Sequence, residues 1–426
     1  IQCCKVAHFA TLKALCASNF AKFRAVFRAE LKSLFCVPAN TFDNVKGEFP
    51  IGFHIWDLDE KQIFTEIEAD IFDKSNHFVQ KRLFFSNDNE KRIIDWLRTY
   101  FDRNGDRIGY LRIQGVDVQQ NRTIFITSKP SDADFREKKI TEITHKNLIP
   151  CCIYFCARNV IEKTWLNDRD QYLYPSDGWK TDFEFQSNCL IYSLFENKIQ
   201  SADGTNRWIP FTEQQVSCKK AFKSTFMSDF LRDFMAGKID VSLAAQHDDG
   251  DDLFGGAVGV KGQSPLSCWG KEGVWGGETP ASKVEGCPLP KTTGARGTPL
   301  KTAEGMGEHP QNNGAEGHSP QNNGARGTPL KTTGATGDSS FCMSAEAQSV
   351  YDAGLELWKY YHAQSRANPD ASFYDIRKYF QGEKNGRMNN DSDDAHYTEL
   401  LGDLRQKQKA LAKKIAAGVY RYGFLR

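Results

Sequence analysis

The sequence predicts an α/β protein divided by a long low-complexity segment. Apolar side chains follow mixed strand and helix spacings up to about residue 247. There the composition breaks sharply, and from residue 341 the pattern is helical. These observations divide the 426 residues into stretches 1–60, 61–247, 248–340 and 341–426.

The first stretch opens with an expected helix over residues 7–35. Phe9, Leu12, Cys16, Phe20, Phe23, Phe27, Leu31 and Leu34 recur at steps of three and four, which makes one apolar face. Arg24, Arg28 and Lys32 fall on another face, either solvated or in contact with phosphate. Next comes a short strand, Ser33–Pro38, ended by proline. A polar loop over 39–48 leads to a second apolar strand, Phe49–Trp56, which stops at the charged run Asp57–Lys61. Helix, strand, loop and strand in this order read as the end of an α/β domain.

In 61–247, Ile108–Ile113 and Thr123–Thr127 are strand-like, being rich in β-branched and aromatic residues. Asn147–Lys163 is apolar with a helical second half, and Cys189–Phe195 is a further apolar run. Between Gly250 and Ser340 lie 20 of the 34 glycines but only three aromatics, Phe254, Trp269 and Trp275. A decamer recurs there, with glycine at 297, 307, 317, 327 and 337. Each unit offers at most one Leu or Met, too little to bury, so the repeats predict a disordered Gly/Pro-rich linker rather than a solenoid. Beyond it, Ser344 is placed to cap a helix through Tyr361. Ser372 with Asp375 forms a capping-box pattern, and a long helix is expected from Ala395 to Tyr422.

The charge balance is even, 55 basic against 54 acidic residues, so contact with nucleic acid has to come from local patches. Mean hydropathy is negative, and no apolar run approaches the roughly 18–20 residues that span a bilayer. The opening Ile1-Gln2-Cys3-Cys4-Lys5 has neither an initiator Met nor a secretory h-region, which reads as a chain trimmed upstream. The 12 cysteines show no Cys-x-x-Cys pair and no histidine at zinc-ligand spacing. They read as reduced core thiols, which suits a cytoplasmic protein.

No Gly-rich phosphate loop, His-Glu-x-x-His or Gly-x-Ser-x-Gly is present. The informative segment is 23–61. It runs Phe23-Arg24-Ala25-Val26-Phe27-Arg28-Ala29-Glu30-Leu31, then Leu34-Phe35-Cys36-Val37-Pro38, then Phe42, then Phe49-Pro50-Ile51-Gly52-Phe53-His54-Ile55-Trp56. It resembles the late part of the catalytic domain of adenine-N6 DNA methyltransferases of the restriction–modification type. There an Arg-bearing helix precedes a strand, a loop with an aromatic and a last strand in an antiparallel hairpin. The blocks Thr164–Gln171 and Trp208–Glu213, and the tail 341–426, are similar to the C-terminal region of such proteins.

The resemblance implies the end of a Rossmann-like methyltransferase domain over 1–60, with final helix and β-hairpin. It further implies an α/β accessory region over 61–247 that helps recognise DNA, and a helical C-terminal domain. The cofactor would be S-adenosylmethionine and the substrate double-stranded DNA. The Asn-Pro-Pro-aromatic tetrapeptide that holds the target amine in this family is absent, so no catalytic or cofactor-binding residue is assigned. A separate N-terminal methyltransferase half or a restriction subunit would be a partner. A flipped base is commonly held against an aromatic face. By position that aromatic is Phe42, with Phe49 second; the plainer alternative is Phe42 packed beneath its loop. Arg24, Arg28, Lys46, Asn167 and Arg169 are the expected DNA contacts. The cluster Asn167-Asp168-Arg169-Asp170 also suits a turn fixed by salt bridges between Trp165 and Trp179, and the basic residues of the last helix, Arg405, Lys407, Lys409, Lys413 and Lys414, suit a solvated face. Two further readings stay open: a non-catalytic DNA-binding or specificity module, and a decayed gene remnant.

Overall fold

The computed structural model describes residues 4–102, 104–239 and 343–426, and the predicted linker over 248–340 lies outside them. The N-terminal part is a mixed sheet. Its elements are β1 (Lys5–Thr11), α1 (Lys13–Cys16), α2 (Ala21–Val26), β2 (Glu30–Pro38), β3 (Pro50–Asp57), β4 (Glu66–Phe72) and β5 (Phe78–Phe85). The strand order is β1-β3-β2-β4-β5. The pair β2–β3 is an antiparallel hairpin in which Leu34 faces His54 and Cys36 faces Gly52. β3 also pairs antiparallel with β1, β2 runs parallel to β4, and β4–β5 is a second antiparallel hairpin.

Two expectations for this region are corrected. Residues 7–35 do not form one helix: they divide into a strand, two short helices and the start of β2. The apolar residues at helical steps do not share a face, since Leu12 and Cys16 are buried while Phe9 and Phe23 are 49% and 40% exposed. Backbone pairing of 5–11 along β3 satisfies seven residues at once, and this tertiary ladder outweighs a local helical spacing. Lys32, now in a strand, therefore no longer shares a helix face with Arg24 and Arg28. The hairpin β4–β5 was not anticipated, although Ile67, Ala69 and Ile71 alternate with polar residues. Its turn is closed by Asp73, whose Oδ1 accepts the backbone N–H of Ser75 at 2.8 Å and of His77 at 2.9 Å.

The two faces of this sheet differ. On one, Leu34, Cys36, Trp56, Ala69, Ile71 and Phe84 are buried with Leu12 and Leu15 from the α1 turn. The other carries a row of rings across all five strands. Phe9 lies 4.7 Å from Phe53, Phe53 5.2 Å from Phe35, Phe35 6.1 Å from Phe72, and Phe72 5.9 Å from Phe78. The row ends at Phe78, which is 56% exposed.

The remaining elements share a second core. They are α3 (Ile93–Arg98), β6 (Arg107–Arg112), β7 (Ile126–Thr127), α4 (Asp132–Arg136), β8 (Ile140–Thr144), α5 (Leu148–Asn159), α6 (Phe183–Leu194), α7 (Phe226–Met235), α8 (Ala345–His362), α9 (Phe373–Gln381), β9 (Glu383–Lys384), β10 (Arg387–Met388) and α10 (Ala395–Arg421). Three of the strands form a sheet ordered β7-β6-β8. Helix α5 is buried along its length from Leu148 to Arg158, as expected of a helix apolar all round. Trp96, Leu111, Phe155, Leu190, Trp358, Leu404 and Phe424 belong to one continuous core, so helices from 343–426 pack directly on helices from 148–194. Of the expected strand 123–127 only β7 remains; the residues before it form a 3₁₀ turn.

The helix starts anticipated by capping are present. Ser344 accepts the N–H of Ala347 at 3.1 Å, and Ser372 and Asp375 form a reciprocal capping box. The small β9–β10 hairpin turns at Asn385 and Gly386, both at positive φ (53° and 72°), the Asn-Gly pair such a turn favours.

Candidate functional site

The β2–β3 connection positions the predicted aromatics. β2 leaves the sheet through Pro38 into a 3₁₀ turn, Ala39–Thr41, and the backbone N–H of Phe42 donates to Ala39 O at 3.1 Å. The loop is closed at its base, where the N–H of Ala39 donates to Phe49 O at 2.8 Å. Phe42 is half-buried, with its ring edge-on to Phe9, centroids 5.2 Å apart at 77°. Phe49 is half-buried and lies against Gly47, where a Cβ would come within 2.5 Å of its ring. Gly47 is therefore the residue that lets the loop fold back over Phe49. Lys46, on the same loop, is exposed. Phe42 thus continues the aromatic row of the open face and retains a half-exposed ring against which a base can stack.

The basic residues divide into two kinds. Arg24 is 2% exposed. Its guanidinium donates to both oxygens of Asp88, at 2.6 and 2.5 Å, and to the carbonyls of Ala14 and Ala17 at 2.8 and 2.9 Å. The expectation of a DNA contact here is corrected: every group of the fork is used to tie α2 to the α1 turn and to the segment after β5. Arg28, past the end of α2, is exposed.

Asn167 and Arg169 belong to a structured turn. The Asn167 side chain accepts the N–H of Thr164 at 2.8 Å and donates to Glu162 O at 2.8 Å. Asp168, almost fully buried, pairs with Lys163 at 3.1 Å and Arg169 at 3.2 Å. Asp170 pairs with Arg82 of β5; burial lifts its carboxyl to about 6, with Arg82 opposing. Gln171 donates to Cys16 O at 2.7 Å. Cys16, Arg82, Arg169, Asp170 and Gln171 line a small cavity of about 20 Å³ where the two cores join, so the salt-bridged turn is the role the geometry supports. Trp179 is buried, and Asp177 pairs with Lys180 at 2.9 Å. On α10, Lys407 pairs with Asp403 and Lys414 with Glu184 and Glu346, while Lys409 and Lys413 are solvent-exposed.

Cys16, Cys36, Cys151, Cys152, Cys156 and Cys189 are buried free thiols, and Cys4 is exposed. Burial pushes Cys16 and Cys36 up to about 12, which makes them poor nucleophiles at neutral pH. Among the described residues no group of three His, Cys, Asp or Glu side chains is arranged to hold a metal ion, and no helix is long and apolar enough to cross a membrane. No protein-family model, curated protein or solved structure matches the chain.

Proposed function

We propose that the chain is part of a site-specific DNA methyltransferase that transfers a methyl group from S-adenosylmethionine to adenine N6. The observation that supports this most is the β2–β3 hairpin with its half-exposed Phe42, reached through a short Arg-bearing helix and a strand. That is the order the family resemblance implies for the end of a Rossmann-like catalytic domain. The open aromatic face and the edge of β1, unpaired among the described residues, agree with it, because an exposed apolar face beside a free strand edge is one that a further segment can cover. The cofactor loop and the amine-holding tetrapeptide would come from a second polypeptide segment, in the cytoplasm, and Phe42 would take the flipped adenine.

The test joins the chain to the segment encoded immediately upstream and measures N6-methyladenine in duplex DNA by mass spectrometry. Methylation is expected for the joined protein. Phe42→Ala is expected to lower kcat/KM by about 10-fold or more, since a stacked base contributes roughly 1–3 kcal/mol. Absence of any methylated adenine with the joined, folded protein refutes the reading. Full activity of Phe42→Ala removes Phe42 from the base site.

A further inference from the structure

The segment Phe195–Ile199, just past α6, alternates in burial. Phe195, Asn197 and Ile199 are buried, while Glu196 and Lys198 are exposed. It is held from three sides. Gln408 of α10 donates to Phe195 O at 3.0 Å, the Phe195 ring lies 6.1 Å from Phe373 of α9, and the Lys198 N–H donates to Ile126 O of β7 at 2.8 Å.

These anchors decide which side chains surround Glu196. Arg405 stands one turn before Gln408, and Arg377 one turn after Phe373. Both act electrostatically on the Glu196 carboxylate, as does Lys198. The Lys198 ammonium also sits 3.9 Å from the centre of the Phe125 ring. Among the described residues, none of Glu196, Lys198, Arg377 and Arg405 forms an ion pair within 4 Å; Arg377 donates to Gln381 at 3.3 Å. Three cations thus gather round one carboxylate with no ion pair closer than 4 Å among the described residues; burial raises the Glu196 carboxyl, and Arg377, Arg405 and Lys198 oppose that rise. Exposed charges of both signs that form no close ion pair leave their hydrogen-bonding groups open to a ligand.

We propose that this patch is a DNA contact surface, in which Lys198, Arg377 and Arg405 engage duplex phosphates and Glu196 accepts a hydrogen bond from a base amino group. A small free anion would engage only the cations and leave Glu196 without a donor. A duplex offers both partners together: a line of phosphates for the cations and, between them, amino donors such as cytosine N4 that a carboxylate reads. The inference rests on the methyltransferase reading and gives it a recognition surface distant in sequence from Phe42.

The test uses the full chain and a fluorescent random-sequence duplex, with Kd measured across salt. Each lost phosphate contact lowers the slope of log Kd against log salt by about 1. The triple variant Lys198→Ala, Arg377→Ala, Arg405→Ala is therefore expected to bind at least 10-fold more weakly with a slope about 3 smaller. Lys74→Ala, on the exposed β4–β5 turn, serves as the control and is expected to change neither. Glu196→Gln is expected to strengthen binding to random duplex several-fold, by removing the like charge. Matched melting curves show that the variants are folded. If the wild type binds and the triple variant keeps its slope, the patch is not a DNA surface and the methyltransferase reading stands. If the folded wild type binds no DNA even at low salt, the patch is likewise not a DNA surface, and the methyltransferase reading is decided by the methylation assay of the joined protein.

Discussion

Arg24 and Arg28 lie four residues apart and look alike in the sequence, yet they have opposite surroundings. Arg24 is enclosed by two carbonyls and a carboxylate, whereas Arg28 faces solvent. Spacing on a presumed helix gave no means of telling them apart, because the partner, Asp88, is 64 residues away. His54 is a second case in which burial decides. It is 1% exposed in β3, beside His8 at 5.3 Å, and its Nε2 has no hydrogen-bond partner among the described residues. Burial, with His8 adding repulsion, lowers its pKa from 6.5 to about 4. The unfolded chain therefore takes up a proton at this histidine first as pH falls. Stability from His54 is full above pH 6.5 and is lost between pH 6.5 and about 4. The loss amounts to about 3 kcal/mol, at 1.36 kcal/mol per pH unit. His54→Leu is expected to flatten this part of the stability–pH curve, measured by urea denaturation. The same acid slope in the variant and the wild type would show that His54 does not titrate in this way.

At the scale of elements, what was legible in the sequence was local. The helix starts at Ser344 and Ser372 need only a hydroxyl and the three residues that follow, and both are present. The strands expected at Ser33–Pro38 and Phe49–Trp56 were legible because proline and the polar loop bound them, although the first three residues of β2 fall within the expected helix. Strand β1 was not legible, because its reason to be a strand is β3, whose paired residues lie 40 to 52 positions later. Nor was the patch around Glu196: Arg405 was visible as one of several basic residues, but Arg377 joins it only through the contact of Phe373 with Phe195, and Lys198 through its N–H bond to β7. Ser372 ties that patch to its cap. Its hydroxyl accepts the Asp375 N–H at 3.0 Å and donates to Ile199 O at 2.5 Å, while the residue is 1% exposed. Ser372→Ala removes a helix cap and leaves a buried carbonyl with one donor fewer, at a combined cost of about 2 kcal/mol or more. Thermal unfolding checks this. A loss confined to a few tenths of a kcal/mol would mean that neither bond contributes.

At the scale of the whole molecule, the N-terminal sheet presents an unsolved burial problem. Its helix-covered face is closed, but among the described residues the row Phe9–Phe53–Phe35–Phe72–Phe78 is left half-open and the outer backbone edge of β1 beside it is unpaired. An apolar face next to a free edge is a template for association. Along β1, Val6 and Phe9 are 41% and 49% exposed, while Lys5 is the strand's only charged side chain apart from what His8 can carry, so little opposes pairing with another strand. The expected behaviour of the chain by itself is concentration-dependent self-association with binding of a hydrophobic dye. Both should weaken when Phe9→Lys and Phe78→Lys place charge at the two ends of the row, since each site is already about half in water and the substitution disturbs no buried partner. Both should weaken as well when the upstream segment is joined, because under the methyltransferase reading that segment supplies the strand and helix that cover this face. Sedimentation at increasing concentration separates the cases. A wild-type chain that stays monomeric and dark to the dye would show that the half-exposed rings pack well enough on one another, and the sheet would then give no support to a covering segment. Association cured by the lysines but not by the upstream segment would keep the exposed face and discard its assigned occupant.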